Sequence, residues 1–287
     1  MFTGKRDLED SPFILADEID VDYKNKLMYA FSVDGNIPEA HVVMNYSTIE
    51  EGTYPVLGVF SFGEEYDGSR REIFYQGDKT FIMQSTVWKG LASIWDITDD
   101  PANPVLVSTI EASPYCSPEE GGTVGYGGTQ MHPSGDYVYL VDIYDQACGA
   151  ARLTDEDLTV VRVVDIKDPA NPKILDDFTI EEVEGGALTL NGATWEFGPN
   201  GLTGISMTSS GFVLYDFSDP EKPVAASEVY DPAENVGDFT KGVFNSRYGD
   251  DGFWYVYEKD GTDGVHGEWH QLKALPCSMP VACRPYV

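Results

Sequence analysis

The chain has 287 residues, with 18 Lys and Arg against 49 Asp and Glu, a formal net charge of −31 at pH 7. A field of that sign repels nucleic acid and anionic membranes and attracts cations and basic surfaces. No apolar run reaches the roughly eighteen residues of a membrane-spanning helix, and the length suits one all-β domain with a full core.

Residues 1–11 read as an N-terminal extension without the apolar stretch of a signal peptide. A first unit, 12–62, contains "VDYKNKLMYAFSV", a polar turn leading into an alternating strand, then "HVVMNYSTIEEGTYPVLGVFSF", two strands about a proline-bearing turn. The same order returns in 63–112 with "YQGDKTFIMQSTV" and "LASIWDITDDPANPVLVSTIEA", and in 113–183 with "MHPSGDYVYLVDIY" and "TVVRVVDIKDPANPKILDDFTI". It returns again in 184–232 with "FGPNGLTGISMTS" and "GFVLYDFSDPEKPVAASEVYD", and in degraded form in 233–287 with "RYGDDGFWYVYEK" and "EWHQLKALPCSMPVACRPYV". Period-two alternation marks strands, and the Gly, Asn and Asp of the first turns tolerate positive φ. Proline fixes φ and lacks a donor, so the second turn stays outside the ladders beside it. Asp96, Asp165 and Asp216 stand at matching places, where a carboxylate accepts backbone N–H bonds of the turn. Self-similarity of this kind predicts an all-β fold, a β-propeller of five four-stranded blades.

The segments "VVRVVDIKDPANPKIL" and "ASIWDITDDPANPVLV" resemble the LVIVD repeat, with its apolar strand, aspartate and following "DPxxP" turn. The Asp216 unit matches fairly, the first and last units in outline. The resemblance implies a propeller of extracellular, cell-surface or periplasmic location, and is nearly silent on chemistry.

In a propeller the loops between blades and those between second and third strands share one face, the default site for ligands. Aligning the innermost strands on their turns puts Asp17, Arg71, Gly127, Ala193 and Val243 at one level. Glu18, Glu72, Gly128, Thr194 and Phe244 fall at the next. Acidic groups of neighbouring blades with Arg71 beside them suggest a pocket for a cation or a polyhydroxylated ligand. Asp17, Arg71, Tyr126, Gln130, Asn191 and Lys241 form the candidate binding set. The expected function is a binding module, monomeric and without membrane insertion, whose acidic face takes a protein, a glycan or a cation such as Ca²⁺. The alternative is a propeller hydrolase or lyase acting on a carbohydrate or small metabolite. Glycoside hydrolysis needs two facing carboxylates, for which Glu18 with Glu72, or Asp17 with Glu196, are the candidates. "ADEIDVDYKNKLMYAF" bears a superficial likeness to the first-blade region of five-bladed glycosidases.

No calcium loop of the DxDxDG type occurs; "DVDYKNK" lacks its glycine and distal glutamate. Cys116, Cys148, Cys277 and Cys283 make no CxxC pair, and their even number suits disulfides, Cys116 with Cys148 across two rim loops and Cys277 with Cys283 at the C-terminal edge. In "HGEWH" the imidazoles of His266 and His270 on a strand would stand about 13 Å apart, too far for one metal. His41 with His266 is a conceivable metal pair, and His132 reads as a structural turn residue. "GGTVGYGG" lacks the GK[ST] of a phosphate loop, and no GxSxG elbow occurs.

Overall fold

The computed structural model describes residues 16–32, 40–53, 55–63, 66, 70–85, 91–110, 124–144, 158–181, 193–198, 201–207, 211–227, 242–249, 251–259 and 267–272. These form antiparallel sheets of consecutive strands. The first holds β1 (Ala16–Asp22), β2 (Leu27–Ser32), β3 (Ala40–Asn45) and β4 (Val56–Phe60), with a 3₁₀ turn at Ile49–Glu51. The second holds β5 (Arg70–Gln76), β6 (Lys79–Ser85), β7 (Ala92–Asp96) and β8 (Val105–Ile110). The third holds β9 (Val124–Met131), β10 (Tyr137–Tyr144), β11 (Leu158–Asp165) and β12 (Lys173–Glu181). The fourth holds β13 (Ala193–Phe197), β14 (Leu202–Met207), β15 (Gly211–Asp216) and β16 (Val224–Ala225). The fifth, among the described residues, holds β17 (Gly242–Tyr248), β18 (Trp254–Lys259) and β19 (Gly267–Leu272). The first strands of successive sheets lie side by side, β1 against β5, β5 against β9, β9 against β13 and β13 against β17.

The alternation along each strand assigns its two faces to two different neighbours. On the second sheet, Ile82, Trp95 and Ile97 pack with Leu27, Tyr29, Val43 and Phe62 of the first. Phe81, Met83 and Ile94, one residue out of step, pack with Val138, Leu140, Val164 and Ile166 of the third. Tyr139, Val161 and Val163 meet Trp195, Val213, Tyr215 and Phe217 of the fourth sheet. Phe212 and Leu214 meet Trp254 of the fifth. Each fully buried side chain of this size stabilises the fold by about 1.5–3 kcal/mol, so these seams carry much of the stability. A one-residue slip would exchange the two seams of a sheet, which fixes the register.

The first hairpin turn of each sheet carries a residue in the left-handed region: Gly77, Gly135, Gly201 and Gly252 in four sheets, and Lys26 (φ 60°) in the first. The proline-bearing turns are also built alike. Asp96, Asp165 and Asp216 each accept the backbone N–H two residues on, from Thr98 (2.9 Å), Lys167 (2.9 Å) and Ser218 (2.8 Å). The intervening residue bonds back to the hairpin: Ile97 N–H to Thr80 O, Ile166 N–H to Asp136 O and Phe217 N–H to Gly201 O. The aspartate before the first proline closes the turn, Asp100 accepting from Ala102 N and Asn103 Nδ2, Asp168 from Ala170 N and Asn171 Nδ2.

Each turn also clasps the sheet before it. Ala102 sits on β4, where a Cβ on Gly58 would lie 2.5 Å from its own. Ser108 Oγ on β8 donates to Pro169 O (2.6 Å), and Tyr139 Oη on β10 to Pro220 O (3.0 Å). The repeated "DPxxP" is thus both a stop for its own hairpin and a latch between sheets.

Candidate functional site

Antiparallel pairing divides the connections between two ends of the sheets. The β1–β2 and β3–β4 type turns lie at one end, and the segments joining second to third strands and one sheet to the next leave from the other. The latter connections, 33–39, 64–69, 86–90, 111–123, 145–157, 182–192, 208–210, 228–241 and 260–266, contain 20 Asp and Glu against 3 Lys and Arg. The turn end has 11 against 4. The acid excess therefore falls in the connections that leave from the end sequence reasoning assigned to ligands.

Polar contacts tie strands of neighbouring sheets together, Arg71–Asp20 nearer that end and the Asp22 and Glu196 contacts beside the hairpin turns at the other. Arg71 Nε on β5 pairs with Asp20 Oδ2 on β1 at 2.7 Å, the arginine side chain 1% exposed and the aspartate 22%. Asp22, fully buried, accepts from Tyr75 Oη (2.8 Å), from Asn25 N (2.9 Å) and from Asn25 Nδ2 (2.7 Å). Burial, then the bond to Asp22, pushes the Tyr75 phenol up to about 12, so it remains a donor at any ordinary pH. Thr129 Oγ1 on β9 donates to Ser85 Oγ on β6 (2.6 Å), and Arg247 on β17 pairs with Glu196 on β13 (2.9 Å). His41 is buried in the seam between the first two sheets, stacked on Phe60 at 4.9 Å and edge-on to Phe62. Burial, and secondly the Arg71 charge, hold its imidazole down at about 3, neutral above that pH.

Asp17 and Glu18 lie on β1, where a register shift separates Ala16 from Glu18. Arg71 and Glu72 are successive residues of β5, Arg71 buried toward the first sheet and Glu72 half-buried on the other side of the strand. Tyr126 and Gln130 lie on β9, and Asn191 and Lys241 fall outside the described residues. Gly127, Ala193 and Val243, aligned with Asp17 and Arg71 from sequence, fall on the corresponding first strands. Glu196, offered as a partner for Asp17, is engaged by Arg247. Cys116, Cys148, Cys277, Cys283 and His266 also fall outside the described residues. His132 accepts Ser134 N–H at Nδ1 in the β9–β10 turn and packs edge-on to Tyr137 and Phe197, a structural role as its turn position suggested. Sequence reasoning missed Asp20 and Asp22. The signal was the alternating "DEIDVD", which puts acids on one side of β1 opposite Arg71 and Tyr75. Among the described residues no group of three or more His, Cys, Asp or Glu is arranged to hold a metal. A recess of about 250 Å³ at the turn end, lined by Gln76, Lys79, Phe81, Val107, Asp168, Pro169 and Ala170, lies between second and third sheets.

No family model matches the chain, and no curated protein matches it in sequence. Solved structures do resemble it. A protein from Lactobacillus plantarum aligns over 89% of this chain and 70% of its own length, with a TM-score of 0.55 and 15% identity. A putative 6-phosphogluconolactonase from Bacteroides fragilis aligns over 88% and 82%, with a TM-score of 0.43 and 10% identity. Prolyl oligopeptidase B from Galerina marginata aligns over 90% of this chain and 33% of its own, with a TM-score of 0.47 and 10% identity. The first of these likenesses shows the fold, which is β-propeller-like and all-β. It carries no activity across.

Proposed function

We propose that the chain is an exported or surface-displayed binding module, a five-bladed propeller built of LVIVD-type repeats, and that its acidic end takes a cation or a basic partner. The observation that carries this is the segregation of charge, 20 acidic to 3 basic residues in the connections at one end. Such an end attracts cationic ligands over distances limited by salt screening. Ring closure is supported by the first sheet's far side, where Ala30, Val42 and Met44 are buried away from the seam with the second sheet. In a closed ring the fifth sheet covers them. On the first strands, Arg71 is held by Asp20 and Arg247 by Glu196, so both cations belong to the scaffold.

The test is a thermal-shift panel of Ca²⁺, Mg²⁺, an oligolysine peptide, an acidic peptide and neutral oligosaccharides. A ligand bound only by the folded state raises the melting temperature with concentration. The expected result is stabilisation by Ca²⁺ or oligolysine, weakened by salt, and none by the acidic peptide. Turnover of a chromogenic glycoside, lost in Glu72→Gln, would replace the binding reading with the enzymatic one.

A further inference from the structure

In the first sheet, the place filled elsewhere by Asp96, Asp165 and Asp216 is filled by Asn45. Its Oδ1 accepts Ser47 N–H at 2.8 Å, the same bond to the residue two positions on that Asp96 takes from Thr98 and Asp216 from Ser218. The turn therefore needs only the side-chain oxygen, which a carboxylate supplies equally well. The amide nitrogen has no hydrogen-bond partner among the described residues, Asn45 is partly exposed and Ser47 is exposed. The stretch reads Asn45-Tyr46-Ser47-Thr48, an Asn-x-Ser acceptor with no proline at its second or fourth position. The turn beyond is pinned in place, Thr48 Oγ1 donating to Thr53 O (3.0 Å) and Tyr46 N–H to Lys26 O (2.9 Å), so the acceptor is presented at the turn end in one conformation.

We propose that Asn45 is an N-glycosylation site. The co-substrate is a glycosyl diphosphate donor. The Asn45 Nδ2 forms a bond to the anomeric carbon, the bond from that carbon to the diphosphate oxygen breaks, the diphosphate leaves with the electron pair, and the amide gives up one proton. A glycan there would stand at the end opposite the acidic connections, shielding the turn end and leaving the binding end open. The inference rests on the export reading, since such transfer occurs on exported chains.

The experiment isolates the full-length protein from its source, records the cell fraction that yields it, and measures the mass of the peptide containing Asn45 before and after a glycan-releasing amidase. The expected result is an envelope or secreted protein whose peptide loses a glycan mass and is left with aspartate at 45. An exported protein with unmodified Asn45 overturns this proposal and leaves the export reading standing; a cytoplasmic, unmodified protein overturns both. Asn45→Asp and Ser47→Ala, made in a glycosylating secretory host, should lose the glycan, and Asn45→Asp should melt within about a degree of the enzymatically deglycosylated protein because aspartate serves the same turn elsewhere. Glycan persisting in either variant would also overturn the assignment.

Discussion

Substituting Gly58 by alanine tests whether a proline-bearing turn latches one sheet to the next. The added Cβ would lie 2.5 Å from the Ala102 Cβ, about 1–1.5 Å inside the optimal carbon–carbon separation of about 3.5–4.0 Å. Gly58 has no left-handed φ, so alanine meets no backbone objection. It should even return about 0.4–1 kcal/mol by restricting the unfolded chain. Overpacking costs about 1–3 kcal/mol, and a clash this short against the inflexible Ala102 Cβ belongs to the upper part of that range, about 2–3 kcal/mol, which leaves Gly58→Ala destabilised by a net of about 1–2 kcal/mol. At about 2–4 °C per kcal/mol for chains approaching this size, the melting temperature should fall by roughly 2–8 °C. Ala102→Gly removes the opposing methyl. In a four-member urea-denaturation cycle, the double variant should be more stable than the sum of the singles by about 1–2 kcal/mol. Additive effects, or a Gly58→Ala protein as stable as the parent, would refute the latch.

Three further outcomes follow from the same geometry. His41 is held at about 3 in the folded protein against about 6.5 unfolded, so the unfolded state binds more protons between those values. Stability present above pH 6.5 should therefore fall on the order of 2–3 kcal/mol between pH 7 and 4.5, and His41→Phe should remove that component of the slope in denaturant melts. Tyr75→Phe takes one donor from the buried Asp22 carboxylate and should cost about 1.5–3 kcal/mol by chemical denaturation, with no loss meaning that the bond contributes nothing. Lys26→Gly puts glycine where the other four sheets have it and should raise stability by about 0.5–1 kcal/mol, read as a higher urea midpoint; a lower one would mean that the Lys26 contact with the Tyr46 ring outweighs the backbone term.

The sheets were legible because alternation and turn chemistry are local. "GDYVYLVDI" announces a turn and a strand without reference to anything distant, and the aspartates at 96, 165 and 216 accept the turn N–H bonds their position foretold. The cross-sheet ties were less so. Periodicity puts Asp20 and Asp22 on one side of β1, but only the stacking of two sheets brings them to Arg71 and Tyr75, some fifty residues on. For the same reason Arg71 looked like a channel-lining cation, whereas its guanidinium is buried beside Asp20. Asn45 escaped because repeat matching by residue identity does not equate an amide with a carboxylate, although one oxygen does the same work in both. The candidate acids of the connections were legible only as composition, since the sequence gives their number and the topology their end, and neither gives a ligand geometry.

The most direct test of the binding account is calorimetric titration of oligolysine and of Ca²⁺ into the protein at low and at 0.5 M salt. It compares Glu119→Gln/Glu120→Gln, in the connection between β8 and β9, with Glu50→Gln/Glu51→Gln at the turn end. The account predicts binding by at least one of the two ligands, weakened several-fold by salt and by the first pair of substitutions, and unchanged by the second. Binding equally sensitive to both pairs, or no heat from either ligand at low salt, would contradict it.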